Sequence, residues 1–368
     1  MANASATPHT GEYDRWLFYT TFTLVGLGLL MIFSATVQSS NGLLYLKRQI
    51  LFVILGTILM VAASRFPYRF WKKLALPLMG ITLFFVILTI IPGVGHKIKG
   101  ATRWIRIGGF SLQPTEFLKI ALVILMAASL SKKGERVREF SIGVLPHLIL
   151  MGFIATLVIF QPDFGTVVIL CAVTGIMMFS AGTKLTHLAG LLLVAILILS
   201  AAVGTRGYRM ERLKSFMDPW AVEKNGGYQV TRSLMAYGSG GITGKGLSNS
   251  ELKLKHLPEC HTDFIFPILG EELGLIGVLS ALGLYVLLLA RGFIAAMRCD
   301  NMFGSLLAVG LCSVIGLQII VNLSVTMGIL PPTGLTLPLM SYGGSSLLCT
   351  MLSIGIVLNV ARETDHVR

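Results

Sequence analysis

The chain alternates long apolar runs with short polar connections along almost its whole length. A helix that spans a membrane needs about 20 consecutive apolar residues, and runs of that order recur from end to end. They predict ten spans, near residues 17–37, 49–64, 74–91, 116–131, 142–160, 166–182, 186–203, 267–290, 302–330 and 346–361. The pattern therefore predicts an all-α polytopic membrane protein.

Composition supports this interpretation and leaves little chain for anything else. Of the 368 residues, 54% are hydrophobic and 13% are charged, whereas a soluble domain is about a quarter charged. The polar tails at residues 1–16 and 362–368 are too short to fold alone. We expect the first run to be a retained span and not a cleaved signal peptide. One transmembrane domain accounts for residues 1–368.

Lysine and arginine are concentrated in alternate short connections between the runs. They are Arg65, Arg69, Lys72 and Lys73 after the second span, Lys132, Lys133, Arg136 and Arg138 after the fourth, Lys184 after the sixth, and Arg291 and Arg298 after the eighth. The positive-inside rule assigns these connections and both termini to the cytoplasm. The long polar segment 204–263, between spans seven and eight, is then extracellular.

Two connections on the predicted outer side are also basic. Arg103 and Arg106 lie in the first, and Arg209, Arg212 and Lys253 lie in the second. Any one of these residues could belong to a solvated surface, but as a set they suggest a site for anionic groups such as phosphates. The net charge of +13 fits contact with anionic lipid. Their position argues against a nucleic-acid partner.

Several carboxylates fall at membrane depth, where an unpaired charge is costly. Glu116 and Lys119 are three residues apart, so on a helix they share a face and can pair. A structural ion pair and the lining of a polar cavity both remain open for them. Asp163 is expected to cap the next helix. Glu271 and Glu272 should face protein or water and not lipid.

Three further stretches carry more local signals. The glycine-rich run 238–246 fails the pattern of a phosphate-binding loop, so flexible turns are favoured over a close approach to a ligand. The uncharged stretch 331–346 breaks the apolar pattern and is a candidate re-entrant loop. Cys260 and His261 beside Asp263 lack the spacing of a structural zinc site, and no metal site is predicted.

The sequence resembles the SEDS family (shape, elongation, division and sporulation), the bacterial polytopic peptidoglycan polymerases. The matching motifs occur in order over nearly the whole chain: Trp104 to Gly108, Gln113 to Lys119, Gln161 to Asp163, Gly227 to Gln229, Leu257 to Phe266, Gly270 to Gly274 and Ser341 to Ser346. Residues 335–338 look more like the division branch, or its sporulation relative, than the rod-elongation branch. Thr115 replaces the usual Ser, and Leu252 stands where Gln is common, but neither departure touches the His261-Thr262-Asp263 core.

The resemblance implies a function and a site. It implies that the protein polymerises lipid II during cell division, that Asp263 is the essential aspartate, and that Mg²⁺ or Mn²⁺ could assist. It also implies as partners a class B penicillin-binding protein of the FtsI type and divisome proteins, at the septal cytoplasmic membrane. The expected substrate-binding residues are Arg103, Arg106, Glu116, Lys119, Asp163, Arg209, Arg212, Lys253, His261, Thr262, Ser341 and Ser345.

The chemistry of such a reaction needs the residue types found here. A carboxylate near the acceptor sugar hydroxyl can take its proton during attack on the anomeric carbon, a general-base role worth about 10²–10⁴-fold. Cations would stabilise the departing undecaprenyl pyrophosphate. A single aspartate favours direct inverting displacement, with a covalent glycosyl-enzyme as the alternative. A lipid II flippase and a non-catalytic division scaffold are the competing functions.

Overall fold

The computed structural model of the protein describes residues 14–37, 42–91, 93, 95–98, 101–107, 110–191, 193, 220, 227–251 and 261–364. Long helices dominate these residues. They are α1 (Arg15–Thr36), α2 (Gly42–Arg65), α3 (Arg69–Ile90), α4 (Pro114–Lys133), α5 (Leu145–Phe160), α6 (Phe164–Ser180), α7 (Tyr228–Gly240), α8 (Ile265–Arg298), α9 (Met302–Thr326) and α10 (Gly344–Thr364). A 3₁₀ helix (Gly134–Arg138) and a π-helix (Phe140–Val144) join α4 to α5.

The predicted membrane spans correspond closely to helices. Eight helices in the described part of the chain are long and apolar enough to cross a bilayer, and α6 is an apolar helix of 17 residues. Only the start of the predicted span 186–203 falls on described residues, and residues 185–191 there are helical. The ninth predicted span, residues 302–330, extends past the end of α9 at Thr326 into irregular chain. The all-α polytopic class is confirmed.

A small antiparallel sheet forms where only an outer connection was predicted. Its strands are β1 (His96–Ile98), β2 (Ala101–Ile107) and β3 (Phe110–Leu112), in the order β1-β2-β3. Ile105 pairs with Leu112 and Ile107 with Phe110, so the β2–β3 hairpin leads directly into α4. The β-branched and aromatic residues of this stretch favour strands. The sheet contacts α3, α4 and α10, so it lies over one end of the bundle.

The centre of the bundle consists of α4, α9 and α10. Most residues of these three helices are buried inside the protein, whereas only 22% to 28% of the apolar window is buried in α2, α3 and α8. Helices approach closely at Gly355 of α10, where an added Cβ would lie 2.4 Å from the carbonyl oxygen of Met60 in α2. Such a contact requires the smallest residue. The central helices place buried polar side chains at the functional site.

The two ends of the bundle differ in charge. At the basic end lie the start of α1, the end of α2 and the α8–α9 connection, with Arg15, Arg65 and Arg298. The positive-inside rule assigns this end to the cytoplasm. The site end carries the sheet, α7, the start of α8 and the α9–α10 loop (residues 327–343). It is the end predicted to face outward.

A break divides α8 at Gly274, whose φ of 65° and ψ of −164° suit only glycine. The turn segment (residues 241–251) fills this break and satisfies its backbone groups. The hydrogen bonds run from Lys245 N to Glu271 O, Gly246 N to Glu272 O, Leu275 N to Gly241 O and Ile276 N to Ile242 O, at 3.0 to 3.2 Å. The glycine-rich run therefore approaches the protein's own backbone closely, and this corrects the prediction of flexible turns.

Candidate active site

Asp263 lies in the turn just before α8, where three elements meet. Its carbonyl oxygen accepts a hydrogen bond of 2.9 Å from Asn322 Nδ2 of α9, and the same Nδ2 donates to Leu335 O of the α9–α10 loop at 2.7 Å. The Asp263 side chain is partly exposed, and its Oδ2 lies 3.7 Å from the position of a Cβ added at Gly334. One buried amide thus fixes the aspartate against the loop.

The α9–α10 loop is irregular, and most of residues 335–341 within it are buried, as expected of a re-entrant segment lined by protein. Its backbone is held from behind by side chains of two helices. Gln49 of α2 donates to Ser341 O at 3.3 Å and accepts from Gly343 N at 3.4 Å. The hydroxyl of Tyr285 in α8 donates to Pro338 O at 2.6 Å. The loop is therefore a fixed wall of the site.

The two serines predicted to bind substrate both hydrogen-bond to the backbone. The hydroxyl of Ser341 accepts from Leu337 N at 2.9 Å, and the hydroxyl of Ser345 accepts from Gln113 N at 3.0 Å. Both side chains are nearly fully buried. These contacts tie the loop to itself and α10 to the start of α4. They show a positioning role, and substrate contact by either serine stays a prediction.

His261 belongs to an aromatic cluster beside Asp263. Its ring lies 4.8 Å from Tyr45 of α2 and 5.5 Å from Tyr342, and the two tyrosine rings are 5.2 Å apart. Tyr342 N also donates to His261 O at 2.9 Å. Burial raises the pKa of the Tyr342 hydroxyl, although Arg48 hydrogen-bonds it and acts in the opposite direction. Tyr342 is therefore a neutral phenol at physiological pH.

Asp163 and Arg103 form one unit in the turn between α5 and α6. The Asp163 carboxylate accepts from Thr166 N at 3.3 Å and from Thr166 Oγ1 at 2.8 Å, which confirms the predicted helix cap. Arg103 Nη1 lies 3.4 Å from Asp163 Oδ1. The same guanidinium donates to the carbonyls of Gln161 and Pro162. Arg103 thus holds this turn, whereas Arg106 on β2 is exposed.

The turn at Asp163 and Asp263 both lie beside the α9–α10 loop. A Cβ added at Gly165, two residues further on, would lie 3.0 Å from Thr333 Cβ and from Leu335 Cδ1. The α9–α10 loop is therefore in contact with α6 on one side and with Asp263 on the other. The two carboxylates predicted from the sequence lie around one loop, but Asp163 is almost completely buried.

Glu116 and Lys119 form the ion pair expected from their spacing. Lys119 Nζ donates to Glu116 Oε1 at 2.7 Å, and both side chains are buried within α4. Replacing one partner of such a pair would leave a buried charge, which is costly. The predicted pairing is confirmed. Contact of the pair with substrate stays a prediction.

Glu271 and Glu272 face protein, as predicted, and both are fully buried. Glu272 accepts from the Ser34 hydroxyl of α1 at 2.6 and 2.7 Å. Glu271 accepts from Lys245 Nζ at 3.0 Å and from a set of donors around the turn segment, namely the Ser239 hydroxyl, the Ser250 hydroxyl and Glu251 N. These two acids therefore hold α1, α7 and α8 together at the site end.

Some predicted residues lie beyond what the structure describes, and some described ones were missed. Arg209, Arg212 and Lys253 are outside the described residues, and Thr262 is partly exposed beside Asp263. The sequence analysis missed Asn322 and Gln318 of α9. In the described part of the chain, Asn322 Oδ1 and Gln318 Nε2 are buried and have no hydrogen-bond partner. Amide side chains in an otherwise apolar run were the available signal.

These features define a polytopic membrane protein with a carboxylate-centred polar site at one end of its helix bundle. The family model of the FtsW, RodA and SpoVE cell cycle proteins matches residues 15–366. The chain belongs to this family, and the resemblance found in the sequence is confirmed.

Individual relatives agree over almost the full length. The probable peptidoglycan glycosyltransferase FtsW of Trichlorobacter lovleyi is 40% identical over 355 residues, which cover 95% of this chain and 93% of the relative. The protein of the same name from Coxiella burnetii is 40% identical and covers 96% and 98%.

Two solved structures have the same fold. One was solved in work on the structural coordination of polymerization and crosslinking by a peptidoglycan synthase complex. The matching chain in that structure has a TM-score of 0.81 and is 31% identical, and the match covers 96% of this chain and 98% of that chain. The rod shape determining protein RodA of Thermus thermophilus has a TM-score of 0.71 and 31% identity, with 98% and 99% covered. The multi-pass membrane architecture is thus shared with both.

Proposed function

We propose that this protein is a peptidoglycan glycosyltransferase that polymerises lipid II at the outer face of the cytoplasmic membrane. The names of its relatives support the reaction class. The observation that carries the proposal is the position of Asp263. Its side chain is partly exposed, its backbone is held by Asn322, and its Oδ2 lies beside the exposed Gly334 of the α9–α10 loop.

In the proposed reaction Asp263 is the general base. Its carboxylate takes the proton of the acceptor sugar hydroxyl while that oxygen attacks the anomeric carbon of the donor. The bond from that carbon to the pyrophosphate oxygen breaks, and undecaprenyl pyrophosphate leaves with the electron pair. Proton transfer of this kind contributes about 10²–10⁴-fold to the rate. Direct inverting displacement needs no second carboxylate at the reacting carbon.

Charge that develops on the leaving pyrophosphate requires positioned cations. Arg48 and Arg106 are both exposed at the site end, and Arg48 hydrogen-bonds Tyr342 beside His261. We propose them for this role, together with Arg209, Arg212 and Lys253. Arg103 is a weaker candidate, because the turn at Asp163 already uses its guanidinium. The described residues contain no group of three or more His, Cys, Asp or Glu that could hold a metal ion, and no proposed step uses one.

The biological setting is part of the same proposal. The likeness of residues 335–338 to the division branch supports action at the septum with divisome proteins. A class B penicillin-binding protein would supply the cross-linking activity. The solved relative in a peptidoglycan synthase complex supports a partner of this kind.

The test is lipid II polymerisation by wild type and Asp263→Asn, each co-purified with the cognate penicillin-binding protein and analysed on a gel that resolves glycan length. Asp300→Asn is the matched control, since Asp300 is an exposed carboxylate at the basic end. We expect polymer from wild type and the control, and a loss of about 10²-fold or more in Asp263→Asn.

Each other outcome points to a different function. Equal polymer from Asp263→Asn would contradict the general-base role. No polymer from any variant, combined with translocation of lipid II in vesicles, would support a flippase. No activity of either kind with intact partner binding would support a scaffold.

A further inference from the structure

A cavity of about 280 Å³ opens at the basic end, between α1, α2 and α10. Arg15 and Arg65 line it, and both are exposed. Its apolar part is lined by Phe18 of α1, Met60 of α2 and Leu358 of α10. The cavity therefore combines two cations with a hydrocarbon-like interior. It lies at the opposite end of the bundle from Asp263.

The cavity lies at the depth of the lipid headgroups. Arg15 is the first residue of α1 and Arg65 is the last of α2, so both guanidiniums lie at helix ends. Trp16 and Tyr19 on the same turn of α1 are 62% and 63% exposed. Exposed Trp and Tyr side chains are typical of the membrane–water interface. The apolar lining residues lie about one helical turn deeper than the arginines.

The chemistry of the cavity matches one class of ligand. Two guanidiniums can bind a phosphate with paired, charge-assisted hydrogen bonds. A free phosphate would gain nothing from the apolar interior. Basic pockets between membrane helices on the cytoplasmic side suit anionic lipid headgroups.

We propose that this cavity is a binding site for an anionic glycerophospholipid of the cytoplasmic leaflet. The phosphate lies between Arg15 and Arg65, and the first part of an acyl chain enters the apolar interior. The bound lipid joins α1 to the α2–α10 pair, which is already held by Asn359 Nδ2 donating to Ser64 O at 2.9 Å. Binding to the folded state alone stabilises it, so this lipid raises thermal stability.

The test measures lipid retention and melting temperature of the detergent-purified full chain. The probes are phosphatidylglycerol, phosphatidylcholine with the same acyl chains, and inorganic phosphate. Arg15→Gln with Arg65→Gln removes both cations. The matched control is Arg136→Gln with Arg138→Gln, an exposed pair at the same end that does not line the cavity. Val61→Trp keeps both arginines and fills the cavity that Val61 lines.

We expect wild type and the control pair to retain phosphatidylglycerol over phosphatidylcholine in native mass spectrometry and to melt at a higher temperature with it. The Arg15/Arg65 variant and Val61→Trp should each bind about tenfold more weakly. Equal loss in the control pair, or equal binding of phosphatidylcholine, would overturn the proposal. So would stabilisation by inorganic phosphate equal to that by the lipid.

The cavity-filling variant keeps the test decisive if the arginine variant does not fold. In that case unchanged retention of phosphatidylglycerol by Val61→Trp overturns the proposal on its own. Polymerisation is a separate readout, since none of these residues lies at the site end.

Discussion

Two irregular segments lie around the start of α8, and the acidic residues beside them differ in burial. The turn segment surrounds Glu271, which is fully buried and accepts hydrogen bonds from several donors, including Lys245 Nζ at 3.0 Å. The α9–α10 loop lies beside Asp263, whose side chain is partly exposed. Only about two helical turns of chain separate the two acids.

The difference suggests how a structural carboxylate differs from the proposed general base. A buried carboxylate surrounded by hydrogen-bond donors cannot approach a substrate. Its hydrogen bonds stabilise the fold. A general base must come within hydrogen-bond reach of the proton that it removes. At Asp263 the hydrogen bond from Asn322 to the backbone carbonyl fixes the residue, and the side chain lies partly exposed beside Gly334.

Of the changes that test this comparison, Asn322→Leu is expected to have the largest effect. This change removes the donor that holds the carbonyls of Asp263 and Leu335 together. Misplacement of a catalytic group by about 1 Å can cost about 10²-fold in rate. We expect polymerisation to fall by about 10- to 100-fold, measured on the same glycan gels.

Asn359→Leu is the matched control for this prediction. Asn359 is also a buried amide that clamps backbone, with Nδ2 donating to Ser64 O and Oδ1 accepting from Tyr68 N, but at the basic end. Both changes should lower the unfolding free energy by about 1–3 kcal/mol. Similar losses of activity in the two variants would contradict a specific positioning role for Asn322.

A smaller effect, on stability and not on chemistry, is expected from Glu271→Gln. The amide keeps the shape but removes the charge that Lys245 and the Ser250 hydroxyl bind. We expect a lower melting temperature, equivalent to about 1–3 kcal/mol, with polymerisation per folded molecule unchanged. Glu251→Gln is the control, because its side chain is 78% exposed although it also lies 3.3 Å from Lys245. A loss of turnover in a stable Glu271→Gln protein would make Glu271 part of the catalytic site.

The fold could be predicted from the sequence where one physical rule dominated. Hydrophobic run length locates most of the described spans, and the three-residue spacing of Glu116 and Lys119 predicts their pair. The same rule fails after Thr326, because an apolar composition does not distinguish a helix from a buried loop whose carbonyls are held by Gln49 and Tyr285. It likewise gives no sign of the sheet at residues 96–112.

The site residues were predicted from sequence motifs and not from contacts between side chains. Asp263 and His261 come from the sequence, but Tyr45 and Asn322 reach them from helices distant in the chain, and single-sequence patterns carry no information on such pairings. Arg103 was predicted as a phosphate ligand from its charge alone, and its ion pair with Asp163 depends on β2 lying beside the α5–α6 turn. The charge of a residue indicates which groups it could bind, and the packing around it decides which group it does bind.

The smallest effect concerns alkaline pH. The hydrogen bond to Glu271 raises the pKa of Lys245 above its ordinary value of 10.5. Because the raised pKa belongs to the folded state, the pair's stabilisation is fully present below pH 10.5 and is lost as the pH rises through the raised value. The melting temperature of wild type should therefore fall more steeply above pH 10.5 than that of Lys245→Arg, whose guanidinium keeps its charge.

The comparison between these two proteins isolates Lys245, since Tyr342 and every other titrating group is common to both. The Lys245 ammonium is partly exposed, and partly exposed ion pairs are weak, so the difference should be small but should grow with pH. Parallel melting curves across this range would show that the turn segment is held by its backbone hydrogen bonds alone. Glu271 would then stabilise the protein through the hydroxyl and backbone donors around it and not through its ion pair with Lys245.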